Sequence, residues 1–218
     1  MTKKTVTRSH FVRRRNVVKA IGVLAATAAI ATPFVAPTAP SGHQNPGVWR
    51  WSVKTLSDLE SSQINKTPIH LSVSDAEKFA APKAKLATGT VRGFGVEETK
   101  TYAIDAFIIK YKAEADGDYH VLLSEDGKDT THLLGVEVVR PDFAANSPHI
   151  GEFSAVRQFF ESLVSGKPHS GSSYKTLTDP IPVHVVGIGF WDETHGQEGM
   201  PSGFEIHPVI DMSSKPSH

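Results

Sequence analysis

The stretch TYAIDAFIIKYKAEADGDYHVLLSE, residues 101–125, indicates a β-rich fold because it contains two strand patterns joined by a turn. Residues 101–114 are rich in Tyr, Ile, Phe and Ala and alternate in part with polar residues, as strands do. The tripeptide Asp116-Gly117-Asp118 is typical of a turn, and YHVLLSE (119–125) predicts a second strand. A β-rich domain therefore begins near residue 100.

Three more strands and one helix are predicted after this stretch. Asp126-Gly127 favours a hairpin turn, because glycine accepts a positive φ, and HLLGVEVV (132–139) follows as a third strand. A helix is predicted over 148–165, with Asn146 or Ser147 as its cap and Pro148 in its first turn. Its apolar residues recur every three or four positions, at Ile150, Phe153, Val156, Phe159, Phe160 and Leu163. IPVHVVGIGFWD (181–192) and FEIHPVIDM (204–212) predict the fourth and fifth strands.

The predicted fold class is mostly β with one core helix. The order strand, strand, strand, helix, strand, strand is that of the OB-fold, so we expect a small five-stranded OB-like barrel over residues 100–212. The Phe-rich face of the helix is expected to plug one end of this barrel. A different small barrel or an open α+β sandwich has the same element order and remains an alternative.

The regions flanking the barrel are predicted from composition. Residues 40–47 are a linker and 48–99 an N-terminal extension, which contains short helical patterns near Ser57 and Ser72. Residues 213–218 are expected to form a disordered tail.

Residues 1–39 have the pattern of a signal peptide, with a basic segment, an apolar run and small residues near its end. Arg14-Arg15 followed by Asn16, Val17, Val18 and Lys19 favours the twin-arginine export machinery as a partner, and an ordinary secretory signal is the alternative. A membrane span is not expected, because Pro33 and Pro37 interrupt a short apolar run. The predicted location is periplasmic or extracellular.

The composition excludes several function classes. Seven of the 23 Lys and Arg residues lie in residues 1–40, which contain no Asp or Glu, so the rest of the chain carries 16 basic against 23 acidic residues. Nucleic acid is therefore not an expected partner, because neutralising phosphates needs clustered Lys and Arg. The absence of cysteine excludes disulfides, thiolate metal sites and a cysteine nucleophile.

Two polar clusters supply the candidate metal ligands. Asp116, Asp118 and His120 are spaced two apart, so on an extended chain they face one way, and Glu205 and His207 repeat this spacing on the last strand. The first and last strands of an OB-like barrel come close, and His195 follows the fourth strand. The predicted site for zinc, manganese or iron consists of Asp116, Asp118, His120, His195, Glu205 and His207. The alternative is a solvated turn and half-exposed strand residues joined by cross-strand hydrogen bonds.

Trp191, Asp192 and Gln197 lie where the fourth strand becomes a loop and are candidates for contact with a ligand of unknown identity. The alternative is that Trp191 closes the barrel end with its indole N–H satisfied. No Gly-x-Ser-x-Gly elbow or other nucleophilic arrangement stands out. The leading hypothesis is a non-enzymatic binding domain with a ligand or metal site. The alternative is a metal-dependent hydrolase, for which phosphoesters are candidate substrates.

Three motifs also carry a resemblance. They are Glu-x-Asp-x-Asp-x-His at 114–120, Gly-Phe-x-Asp-x-x-His-Gly-Gln-x-Gly at 189–199 and Glu-x-His-Pro at 205–208. Over roughly residues 92–212 the chain resembles a group of exported bacterial proteins of unknown function that share these motifs. The resemblance implies a single domain and directs attention to the motif residues, and it implies no particular activity.

Overall fold

The structure, a computed structural model, describes residues 49–83, 91–164, 171, 173–193, 198 and 202–215. The predicted leader (1–39) and linker (40–47) lie outside these residues, and so do His195 and Gln197.

The described chain is mostly β structure and forms one sheet of six strands. The strands are β1 (Asn65–His70), β2 (Lys100–Ala113), β3 (Tyr119–Ser124), β4 (Leu134–Val138), β5 (Lys175–Trp191) and β6 (Phe204–Ser214). β2 to β6 fall on the five predicted strands. β5 begins at Lys175 rather than at 181, and β6 ends at Ser214 rather than at 212, so residues 213 and 214 belong to a strand and not to a tail.

Each of the five strands from β2 to β6 pairs with two others of the five. β2 pairs antiparallel with β3, and β3 pairs antiparallel with β4. β4 lies parallel to β6, and β6 pairs antiparallel with β5. β5 pairs in turn with β2, from Thr101↔Ile188 to Tyr111↔Lys175.

β1 lies in the predicted N-terminal extension, where the sequence indicated only short helical patterns. All six of its side chains are exposed, and Pro68 lies inside it. A strand is recognised in a sequence by apolar alternation, and this one has none because it buries no face. Its strand character comes from parallel pairing with β2, from Asn65↔Lys100 to His70↔Ala103.

The main hydrophobic core lies on one face of the sheet and includes Val121 of β3, Val136 of β4 and Ile206 of β6. Successive side chains of a strand point to opposite faces. The residues next to these apolar positions therefore lie on the other face, and they are His120, Glu137, Glu205 and His207.

The helix α3 (Ile150–Leu163) coincides with the predicted helix over 148–165. The N-cap is His149 and not the predicted Asn146 or Ser147, and Pro148 precedes the helix. Ser147 lies before the cap and its Oγ accepts a hydrogen bond of 3.0 Å from the backbone N–H of His149. Phe160 is fully buried, and its ring centroid lies 5.4 Å from that of Tyr111 and 5.1 Å from that of Tyr119. Phe159 is only partly buried against the same core.

The remaining helices are short. α1 (Trp51–Lys54) and α2 (Val73–Ala76) are single turns, and 3-10 turns lie at Leu59–Gln63, Val96–Thr99 and Pro141–Ala144. Ser72 caps α2, as its Oγ accepts from the Asp75 N–H at 3.1 Å. None of the helices in the described part of the chain has the length and apolar character needed to cross a membrane.

Two arginines fix the N-terminal segment to the sheet. Arg50 donates to both carboxylate oxygens of Glu98, at 2.6 and 2.7 Å, and neither side chain has any exposed surface. Arg50 also donates to the backbone oxygen of Trp191 at 2.9 Å. Arg92 binds Asp58 in the same two-bond manner, at 2.9 and 3.0 Å. These contacts hold α1, which directly follows Arg50, in place.

Candidate metal centre

His120 and Glu137 face each other across β3 and β4. They are register partners, and His120 Nδ1 lies 2.5 Å from Glu137 Oε1. One proton lies between Nδ1 and Oε1 in this contact, and a cation bound by both residues would take its place. His120 Nε2 and Glu137 Oε2 are buried and have no hydrogen-bond partner among the described residues.

Glu114 brings a third donor to this pair. One donor atom from each of Glu114, His120 and Glu137 lies within 4.8 Å of the other two. Bonds of about 2.0–2.2 Å join zinc to nitrogen and carboxylate oxygen, so donors of one ion lie up to about 4.4 Å apart. Small side-chain movements are therefore sufficient for the three residues to share one cation. Glu114 is half-buried, and its Oε1 lies 2.9 Å from Lys112 Nζ.

The Asp116-Gly117-Asp118 segment is a turn that also directs a carboxylate inward. The Gly117 N–H donates to the Glu114 carbonyl at 3.0 Å, and Gly117 has a φ of 88°, which favours glycine. Asp116 Oδ1 accepts from the Asp118 N–H at 3.1 Å, so Asp116 supports the turn. Asp118 is 1% exposed, and its Oδ1 accepts from the backbone N–H of Arg140 at 2.6 Å. The turn and the polar cluster are therefore parts of one arrangement.

His207 lies beside Asp118 on the same side of the sheet. Its Nδ1 is 3.1 Å from Glu205 Oε1, and its Nε2 is 3.7 Å from Asp118 Oδ2. All three side chains are almost completely buried. His207 Nε2, Asp118 Oδ2 and Glu205 Oε2 have no hydrogen-bond partner in the described part of the chain.

Aromatic and basic side chains enclose the cluster. The Phe190 ring lies 5.3 Å from that of His207, and the Tyr174 ring lies 5.9 Å from that of His120. Lys54 of α1 places its Nζ 5.4 Å from the Phe190 ring centroid and 3.5 Å from Asp192 Oδ2. Polar groups are thus removed from water by the N-terminal segment and by the chain around β5.

Burial makes the three innermost carboxylates hard to ionise. Burial, with added repulsion from Asp192, raises the pKa of Glu205 to about 8. Burial also raises the pKa of Glu137 and of Asp118 well above their ordinary values, helped by repulsion from Glu205 and from Asp116, respectively. A bound divalent cation would favour the ionised forms and remove the mutual repulsion.

The pKa values of the basic groups in the cluster shift in different directions. Burial lowers the pKa of His120 and, with repulsion from Lys54, that of His207. Both imidazoles are therefore neutral at neutral pH, as a metal ligand must be. Burial disfavours the Lys54 ammonium, yet the attraction of Asp192 and of more distant carboxylates raises its pKa.

The predicted site residues divide into three groups. Asp118, His120, Glu205 and His207 belong to the buried polar cluster, and Asp116 is half-buried in the adjacent turn. His195 and Gln197 lie outside the described residues. Trp191 packs in the main core and donates its indole N–H to Glu97 Oε2 at 3.1 Å, while Asp192 pairs with Lys54.

Sequence analysis did not place Glu114, Glu137 or Lys54 in the site. Glu137 had a detectable sign, because it is a lone carboxylate between two valines in a strand whose other residues are apolar or glycine. That Glu137 lies opposite His120 was predictable only with the register of β3 and β4. Lys54 gave no sign, because its position depends on how the N-terminal segment folds back.

Comparison with protein-family models, curated proteins and solved structures gives no match. The resemblance to exported bacterial proteins therefore stays a prediction based on the three motifs.

Proposed function

We propose that this protein is an exported binding domain that holds a divalent cation, zinc or manganese, with Glu114, His120 and Glu137. One observation carries the proposal: three donors lie within 4.8 Å of one another, and two of these side chains present buried atoms without a partner in the described chain. A buried polar atom that lacks a hydrogen bond costs free energy, and a cation bonded to it removes that cost. Imidazole with carboxylates is a donor set that suits zinc or manganese.

Titration of the cation-free protein with zinc and with manganese tests this proposal. We expect Glu137→Gln, which keeps the side-chain shape, and His120→Ala to weaken binding roughly 100-fold or more, since loss of even an outer partner costs 10- to 100-fold. His184→Ala is a matched control, because it removes a histidine that pairs with a carboxylate outside the proposed site. His184 Nδ1 on β5 lies 2.7 Å from Asp105 Oδ1 on β2. Equal affinities of the wild-type protein, the control and both site variants would refute the proposal.

The cation-free protein is expected to lose stability as the pH rises from 7 to 8. The folded state keeps a proton on Glu205, whose pKa is raised to about 8, and burial shifts the pKa of Glu137 in the same direction. The unfolded chain has released the Glu205 proton above the ordinary value near 4.5, so the free energy of unfolding falls by about 1 kcal/mol per pH unit for this carboxylate as the pH approaches its folded value. The histidines act oppositely, but only below the ordinary value near 6.5.

Urea unfolding in the presence of a chelator at pH 7 and pH 8 measures this effect. Glu205→Gln should reduce the dependence on pH, and saturating zinc should remove most of it. Stability of the chelated wild-type protein that is constant or rises over this interval would contradict the assignment of protonated carboxylates.

An OB-like barrel is part of the proposal. It is supported by the antiparallel pairings among β2, β3 and β4, the parallel pairing of β4 with β6, and the return through β5 to β2. In the OB-fold the helix lies between the third and fourth barrel strands, which is where α3 lies in this chain. Export is proposed from the pattern of residues 1–39 alone.

The alternative, a metal-dependent hydrolase, uses the same donors with an open coordination position for water and substrate. The side chains of His120 and Glu137 are 0% and 8% exposed, which favours a closed site. Glu114 is the most accessible of the three proposed ligands. Binding without catalysis is therefore the better-supported function.

A further inference from the structure

A second pair of buried donors lies beside the first set. Asp118 Oδ2 and His207 Nε2 are 3.7 Å apart, and the two side chains are 1% and 2% exposed. This distance is too long for a hydrogen bond. Two coordination bonds of about 2.1 Å can span this separation, so a cation fits between the two atoms.

His207 is oriented for coordination. Its Nδ1 lies 3.1 Å from Glu205 Oε1, and when Glu205 is ionised the Nδ1–H donates to it, which leaves the lone pair of Nε2 facing Asp118. Carboxylate, histidine and metal commonly occur in this order, because the carboxylate fixes the tautomer and the ring orientation.

Asp118 is fixed as firmly as His207. Its Oδ1 accepts from the Arg140 backbone N–H at 2.6 Å, and the turn at Gly117 directs the side chain inward. The second oxygen, Oδ2, is buried and has no hydrogen-bond partner in the described ranges. An arrangement that orients both donors before binding lowers the cost of ordering them.

Glu137 connects the two sets of donors. Val136 and Ile206 are register partners in the parallel pair of β4 and β6, so Glu137 and His207 follow them as neighbours on the polar face. Glu137 Oε1 contacts His120, whereas Oε2 has no hydrogen-bond partner among the described residues. Oε2 can therefore bind the second ion, and Oε1 can bind the first ion in place of its hydrogen bond with His120.

We infer that a second divalent cation binds between Asp118 and His207, bridged through Glu137 to the ion at Glu114 and His120, with Glu205 orienting His207. This inference rests on the proposed function. Four carboxylates, on Glu114, Asp118, Glu137 and Glu205, exceed the charge of one divalent ion, and a second ion balances them. Two lysines are competing sources of positive charge. Lys54 pairs with Asp192 at 3.5 Å, outside this set, and Lys112 pairs with Glu114 at 2.9 Å.

Metal stoichiometry tests the second ion. The protein, prepared without a histidine tag, is loaded with zinc, passed through gel filtration and analysed for metal per chain. We expect two ions for the wild-type protein and for the matched control His184→Ala. Asp118→Asn keeps the oxygen that accepts from Arg140 and is expected to retain one ion, as is His207→Ala.

The outcomes separate the two proposals. No bound ion in the wild-type protein would overturn both. One ion that is lost in Glu137→Gln and kept in Asp118→Asn would overturn the second site alone and leave Lys54 and Lys112 as the balancing charges. Two ions that persist in both Asp118→Asn and His207→Ala would place the second ion elsewhere and also overturn the inference.

A spectroscopic measurement needs no variant and so does not depend on whether a variant folds. Two manganese ions bridged by Glu137 are exchange-coupled, so the electron paramagnetic resonance spectrum of the loaded wild-type protein should differ from that of isolated manganese. A spectrum of isolated ions at saturation would overturn the bridged centre.

Discussion

Replacement of Glu98 by glutamine is expected to lower the free energy of unfolding by about 3–5 kcal/mol, as removal of one partner of a buried ion pair does. Glu98 has no exposed surface and accepts both guanidinium bonds of Arg50, at 2.6 and 2.7 Å. It also accepts from the backbone N–H groups of Gly93, Phe94 and Trp191. Glutamine preserves the side-chain volume but leaves the Arg50 charge without its carboxylate. The loss of stability therefore measures charge and hydrogen bonding and not the cost of a cavity.

Urea unfolding measures this loss, and Lys78→Ala is the control. Lys78 pairs with Asp75 at 2.6 Å, but both side chains are more than half exposed, so breaking this pair should leave the unfolding midpoint almost unchanged. A midpoint for Glu98→Gln equal to that of the control would mean that the Arg50–Glu98 pair does not anchor the N-terminal segment. Because Lys54 follows Arg50 by one helical turn, zinc affinity should change together with stability.

Phe160→Ala is expected to destabilise the protein by about 3–5 kcal/mol, the usual cost of truncating a fully buried phenylalanine. Phe160 has no exposed surface and packs against the rings of Tyr111 and Tyr119, on β2 and β3. Its removal leaves a cavity between α3 and the sheet, and the strands cannot close it without breaking their pairing.

Phe159→Ala provides the comparison, because the same residue type is changed one position earlier on the same helix. Phe159 is only partly buried, so its truncation removes less apolar contact and should cost clearly less than Phe160→Ala. Sequence periodicity alone expected both residues on the buried face. Equal losses for the two variants, or a larger loss for Phe159→Ala, would contradict the position of α3 against the core.

The strands that have an apolar face in the core were predictable, and β1, which buries no side chain, was not. TYAIDAFIIKYKAE and FEIHPVIDM show apolar residues that recur with a period of two, because one side of each strand packs in the core. β1 lacks this pattern and contains Pro68, so its parallel pairing with β2 has no local sequence sign.

The same distinction applies to the candidate site. His120, Glu205 and His207 could be proposed from the sequence because charged and imidazole side chains at alternate positions of apolar strands are conspicuous. Glu137 depends on the register between β3 and β4, and Lys54 depends on long-range contacts of Arg50. Residues that reach a site only through tertiary packing cannot be placed from local patterns.

Anomalous diffraction from a crystal of the zinc-loaded protein would show where the cation binds. The proposed function predicts a zinc peak at about 2.0–2.2 Å from a ring nitrogen of His120 and from carboxylate oxygens of Glu137 and Glu114. Zinc peaks confined to exposed pairs such as Asp129 and His132, with none inside the polar cluster, would contradict it.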